Sequence, residues 1–200
     1  MADNTQLSTA VGAGDTIRDI DRGGIKTTVA QLDIGGAAAE QLVTGAIPAV
    51  GLTIQLSANP VIQAALYAAG NSVGGLLTFN NAYRGVTNPV TLQDLIVTDK
   101  SGQNAPLTIL FFDSNPTNGN YADKTAVTFG TDFPKIIGKV NVQTTDYDTI
   151  NAKGIAHIKN ISAILVPNAT TTLYAVIVTT GTPTYVSTSD ITLKLKLYQD

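Results

Sequence analysis

Near the C-terminus Ile191, Leu193, Leu195 and Leu197 alternate with Thr192, Lys194 and Lys196. That period of two predicts a strand with one face in a core and the other in water. The preceding run, Leu173 to Val178, is apolar at nearly every position and predicts a strand buried on both faces or against a neighbouring subunit. Between them, Thr180 to Asp190 carries Gly, Pro and hydroxyl residues and predicts a loop. Working back, the same criteria predict strands at Val73–Phe79, Val90–Thr98, Ala105–Phe112, Ala126–Phe129, Ile136–Val142 and Ile158–Val166. Val61 to Tyr67 is mixed: its alanines favour helix, Pro60 and Gly70 bound it, and the balance falls to a short strand. Asp99-Lys-Ser-Gly102 reads as a hairpin turn, Asp113 to Asn120 as a longer tip loop and Pro167 to Thr170 as a further turn.

The first quarter has a different texture. Residues 1–24 are polar and Gly-rich, with charges at Asp15, Arg18, Asp19, Asp21 and Arg22, and read as an arm ordered only by a partner. Ile25–Ile34 predicts a strand ended by Gly35-Gly36, Ala37–Val43 a short helical turn, and Leu52, Ile54 and Leu56 a short alternating strand. Residues 1–56 thus read as an extended N-terminal arm with little core of its own, and 57–200 as the body. The fold class expected is all-β: a jelly-roll-like antiparallel β-sandwich carrying that arm, with other Greek-key sandwiches and partial barrels left open. No internal repeat of fixed period is visible, which disfavours propellers and solenoids.

Composition narrows the function. Charged residues are only 14% of the chain while neutral polar residues and glycine are plentiful, a surface suited to being covered by other subunits, although plain all-β composition explains it nearly as well. A net charge of -3 without any basic cluster argues against nucleic acid as a partner. The absence of cysteine leaves the redox compartment open. Neither a secretory leader nor a long apolar run is present, so the expectation is a protein made in the cytoplasm with no membrane partner.

Candidate chemistry is sparse. The single histidine, His157, stands at the start of a predicted strand beside apolar neighbours and reads as a polar strand-end residue rather than the base of a triad. With one histidine and no cysteine the usual zinc ligand sets are not available. Asp15, Asp19 and Asp21 lack the pattern of a calcium loop. Asp146 and Asp148, with Asp99, Asp113, Asp123 and Asp132, lie on predicted turns, where aspartate commonly accepts backbone N–H bonds; a pair of them in a deep cleft would instead serve a glycan hydrolase. The glycine pairs lack the context of a phosphate loop. No catalytic, cofactor-binding or metal residue is assigned. Loop tyrosines, Tyr121 and Tyr185 foremost, are candidate exposed contacts for a sugar or a protein.

Three stretches together carry a resemblance. Asp21-Arg-Gly-Gly-Ile25 leading to Leu32-Asp-Ile-Gly-Gly36 and Ile47-Pro48, then Val73–Phe79 with Thr98–Asn104 and Leu110–Pro116, then Leu173-Tyr-Ala and Gly181–Asp190, resemble a group of tailed-bacteriophage virion proteins with a D-x-G-G-[VI] leader and a β-sandwich body. The leader departs from the common form at Ile25-Lys-Thr, where many members carry an aromatic residue. The resemblance covers most of residues 21–200 and implies a non-enzymatic structural component of the virion with no catalytic residues to transfer.

The expected role is a capsid decoration or cement protein on the head. Its arm residues Ile25, Val29, Leu32, Ile34, Leu52 and Ile54 are the candidate assembly contacts. Partners would be further copies of itself, as a dimer or trimer, and the major capsid protein or another virion protein. The alternative is a tail or fibre-base protein whose loops read a host glycan or a tail partner.

Overall fold

The computed structural model describes residues 18–22, 25–29 and 52–199. The chain divides into two units, Met1–Val50 and Gly51–Asp200. In the first, β1 (Arg18–Arg22) pairs antiparallel with β2 (Ile25–Val29), with Arg22 opposite Ile25. The two residues between them in sequence are Gly23 and Gly24, a composition that two-residue hairpins favour. Arg18, Asp19, Asp21 and Arg22, which read as arm, therefore lie on one strand of a two-stranded pair, while Asp15 lies outside the described residues. Leu32, Ile34 and the segment 37–43 lie outside the described residues.

The second unit is built from β3 (Leu52–Ala58), β4 (Ser72–Phe79), β5 (Val90–Asp99), β6 (Leu107–Phe112), β7 (Ile136–Val142), β8 (Tyr147–Ile150), β9 (Lys153–Ile158), β10 (Ala163–Leu165), β11 (Leu173–Thr179) and β12 (Ile191–Gln199). One sheet has the order β3-β12-β5-β9-β8, with β10 also on β5, and the other has β4-β11-β6-β7. Every pairing is antiparallel. With β9 and β10 counted as one interrupted strand and β8 as an added hairpin arm, successive strands alternate between the sheets except at β6 and β7, which are neighbours in one sheet, and the chain closes as two Greek keys. This is the jelly-roll topology. The boundary between units falls at Val50, and β3 pairs with β12 along its whole length, so Leu52 and Ile54 belong to the sandwich and not to an arm ending at 56.

The alternating strand β12 lies between β3 and β5 and buries Ile191, Leu193, Leu195 and Leu197. On β5 the buried positions shift from Val90 and Leu92 to Leu95, Val97 and Asp99. Opposite Lys196 and Leu197 of β12 stand Asp94 and Leu92, so Gln93 is an extra residue in a bulge that changes the parity of the core face. The same irregularity breaks the strand expected at 158–166. Asn160 and Ser162 take positive φ, Ile161 N–H donates to Gln93 O at 2.8 Å, and the segment becomes β9 and β10 with a bulged connection.

Other expectations also change. Val61–Tyr67 is not a strand but a bent connection with one bridge, Leu66 to Thr184, and 126–129 contributes only isolated bridges. The β8 arm has no counterpart among the sequence-predicted strands. Asp99–Gly102 is a turn, yet it carries the chain from one sheet to the other and so closes no hairpin.

The main core lies between the sheets, with Leu92, Leu95, Leu193, Leu195 and Leu197 on one side and Ile109, Phe111, Leu173 and Ile177 on the other. A second cluster, Leu110, Phe112, Tyr121 and Val176, sits on the outer face of the β4-β11-β6-β7 sheet. The connection between β6 and β7 covers it, adding Val127 and Phe129. Both faces of β11 are thus buried within this chain, as its uninterrupted apolar run predicts.

Candidate functional site

Three carboxylates that the sequence places on turns are almost wholly buried: Asp99, Asp132 and Asp190. Each accepts bonds from nearby N–H groups. Asp99 Oδ1 and Oδ2 accept from Ser101, Gly102 and Asn104 backbone N–H at 2.9–3.1 Å. Asp190 Oδ2 accepts from Val186 and Ser187. Asp132 accepts from Asn118 and Gly119 N–H and from the Tyr121 hydroxyl, and pairs with Lys135 Nζ at 2.8 Å. Burial raises the Asp132 pKa, but the Lys135 ammonium and the Asn118 and Gly119 donors outweigh it, holding the carboxyl well below the usual range. Asp123, in the β6–β7 connection, ties it to β4 and to the connection that precedes β4, accepting from Gly74 N–H, Gln63 N–H and the Tyr67 hydroxyl. These aspartates are occupied as acceptors that organise loops.

Asp146 is likewise engaged, accepting from Gln143 N–H at 2.7 Å in a capping box, and Asp148 lies on β8. Among the described residues no group of three or more His, Cys, Asp or Glu side chains is arranged to hold a metal. No helix among them is long and apolar enough to cross a membrane.

His157 lies near the end of β9, not at a strand start, with Nε2 3.6 Å from Asp94 Oδ2. Asp94 also meets Lys196 Nζ at 3.4 Å and accepts from Asn160 N–H at 3.2 Å. Partial burial raises the Asp94 pKa, and the Asn160 N–H, Lys196 and His157 outweigh it, so the net shift is downward. An open depression of about 280 Å³ surrounds this group on the β3-β12-β5-β9 sheet, lined by Gln55, Asp94, Ile96, His157, Lys194, Leu195 and Lys196. A histidine–carboxylate pair is present in it without a Ser, Thr or Cys hydroxyl or thiol in the lining. Its chemistry is that of an exposed charge cluster.

The tyrosines expected as exposed contacts are inside. Tyr185 is 1% exposed and Tyr121 7%. Tyr185 stacks edge-on with Tyr67 at 5.4 Å, and its N–H donates to Ala65 O, so the 180–190 loop is fastened to the 59–71 connection. Tyr121, on the β6–β7 connection, packs edge-on against Phe112 at 5.7 Å, and burial together with Asp132 pushes its hydroxyl up to about 12. These aromatic rings in loop segments became anchors because residues distant in sequence, Tyr67 and Phe112, supply their apolar walls. Neither ring is available as a platform for a sugar.

What the loops do expose is aliphatic. Val61 is 75% exposed, Leu66 60% and Val186 72%. The two connections that carry them are held together by Tyr67 N–H to Pro183 O and Ile62 N–H to Thr188 O. In the sequence Val61 and Leu66 belong to the apolar, alanine-rich run 61–69 and Val186 follows Tyr185, so no local signal marks these side chains as the ones left facing outward. Of the other sequence candidates, Leu52 is 52% exposed, Ile54 is half-buried, and Ile25 and Val29 lie on β2.

The strand order of its two antiparallel sheets defines a jelly-roll β-sandwich. No family model matches the chain, and no curated protein matches it. Among solved structures it is similar to a chain of the full particle of Israeli acute paralysis virus heated to 63 degrees, at 11% identity over 97% of this chain and 85% of that one, with TM-score 0.35. It is similar also to a chain of Desmodium yellow mottle tymovirus, at 11% identity over 76% of this chain and 82% of that one, with TM-score 0.24. A family two carbohydrate esterase from Cellvibrio japonicus matches at 13% identity over 74% of this chain and 33% of that one, with TM-score 0.17. At TM-scores this low the likenesses carry no argument about function, and the fold assignment rests on strand order.

Proposed function

We propose that this chain is a non-enzymatic structural protein of a virus particle, and specifically a decoration or cement protein on the head of a tailed phage. The observation that carries the reading is the exposed aliphatic set Val61, Leu66 and Val186, held on two loops that are bonded to one another. Apolar side chains displayed on a braced surface suit a permanent contact with another protein. The buried aspartates support the same reading, since they are committed to loop geometry. The phage assignment rests on the resemblance of the leader and body segments, and the partners it implies are further copies of the chain and the major capsid protein.

Stoichiometry tests the placement. Purified particles are sheared to separate heads from tails, and the chain is quantified in each fraction by mass spectrometry against the major capsid protein. A cement protein stays with DNA-filled heads in a copy number comparable to that of the capsid lattice. Recovery with tails in a few copies would move the chain to the tail, and absence from both fractions would overturn the virion reading.

A further inference from the structure

β3 is the outermost strand of its sheet and pairs, among the described residues, only with β12. An exposed strand edge invites pairing with another chain, and proteins ordinarily protect such edges with charge, proline, bulges or very short strands. The other edges of the sandwich show these devices. β7 carries Lys139 and faces a register shift at Phe111/Phe112. β4 holds Gly74 and Gly75 at positive φ, and its Ser72 end is already bonded to Lys124 and Thr125. β8 has four residues including Asp148, and β10 has three. The sequence of β3, Leu52-Thr-Ile-Gln-Leu-Ser-Ala58, has no charge, no proline and no glycine, and its register with β12 is unbroken over seven residues.

We propose that β3 is the surface through which a second copy of this chain joins, the two β3 strands pairing antiparallel about a two-fold axis at Gln55. That register places Leu52 opposite the partner's Ala58, Thr53 opposite the partner's Ser57 and Ile54 opposite the partner's Leu56. It overlaps all seven residues and keeps core-side positions against core-side positions, which a shift by one residue would not. Ile54, Leu56 and Ala58 reach the main core while remaining half-buried, and Leu52 stands 52% exposed on the same side of the strand. The second copy covers all four. On the outer side the facing groups are Thr, Ser and Gln. The nearest cations, Lys194 and Lys196, belong to β12. Across the axis the two Lys196 residues stand about three strand spacings apart, roughly 14 Å, which exceeds the screening length of about 8 Å at physiological salt. Nothing in the charge pattern opposes the pairing. The interface extends the assembly reading by naming a partner, and it takes only its biological setting from that reading.

The test uses the full chain in solution. Because the protein has no cysteine, single substitutions give unambiguous cross-links. Sedimentation equilibrium should show a reversible dimer. Mild oxidation of Gln55→Cys should give a disulfide-linked dimer, Thr53→Cys alone should not, and Thr53→Cys/Ser57→Cys should. Gln55→Glu places a carboxylate opposite Lys196 within the chain and opposite its own symmetry mate across the axis, so the fold is retained while dimer affinity falls about fivefold. An equimolar mixture of Gln55→Glu and Gln55→Lys should restore association. A wild-type chain that stays monomeric, or equal cross-linking of Thr53→Cys and Gln55→Cys, would overturn the proposal. So would an edge occupied by residues 1–50 of the same chain, seen as Gln55→Cys remaining monomeric. Recovery of the chain with particles is measured separately, so either reading can fail without the other.

Discussion

Replacing Asp132 by Asn tests whether a buried carboxylate holds the β6–β7 connection over the second apolar cluster. Asp132 is fully buried, receives two backbone N–H bonds and the Tyr121 hydroxyl, and pairs with Lys135. Asn keeps one acceptor oxygen but turns an NH₂ toward these donors and leaves the ammonium without its anion. Hydrogen bonds to a charged group contribute about 1.5–3 kcal/mol each, and because these share one carboxylate the loss is not their sum; about 2–3 kcal/mol is expected for the set. For a chain of this size that corresponds to a Tm lower by roughly 4–12 °C. The assay is calorimetry at pH 7 and at steps down to acid.

The pH dependence follows from the direction of the shift. The folded-state pKa lies below that of the unfolded chain, so the stabilisation is fully present above about pH 4–5 and fades as pH falls below the unfolded value of about 3.9 toward the folded one. The gap between wild type and Asp132→Asn should therefore close on acidification. Equal Tm values at pH 7, or a gap that does not change with pH, would refute this account of the loop.

Asp94→Asn should have a much smaller effect, below about 1 kcal/mol in urea unfolding, because its partners Lys196 and His157 are substantially exposed. Tyr67→Phe should destabilise by about 1–2 kcal/mol, since its hydroxyl donates to Asp123 and accepts from Gln63 N–H. Tyr185→Phe should be neutral or slightly stabilising in the same assay, because its buried hydroxyl has no hydrogen-bond partner among the described residues. Gly102→Ala should cost about 2 kcal/mol or more, measured by thermal melting: φ is +64° and a Cβ there would stand 2.3 Å from Ala152 O.

The periodicity of the chain by itself determined which residues face a core. β12 shows its alternation, β11 its two-sided run, and the 180–190 loop its turn chemistry, all from neighbours within a few positions. Even the parity change between Leu92 and Leu95 is written in the residue order, although only the pairing with β12 identifies it as a bulge at Gln93. Tertiary structure alone decided which sheet each strand entered, that Asp99–Gly102 crosses between sheets, and that the 158–166 run breaks in two. It also decided the fate of Tyr121 and Tyr185, which lie in loop segments of the sequence but whose walls come from Phe112 and Tyr67. Local alternation specifies a face. Which surface that face meets depends on segments tens of residues away, and it is settled only when the two Greek keys close.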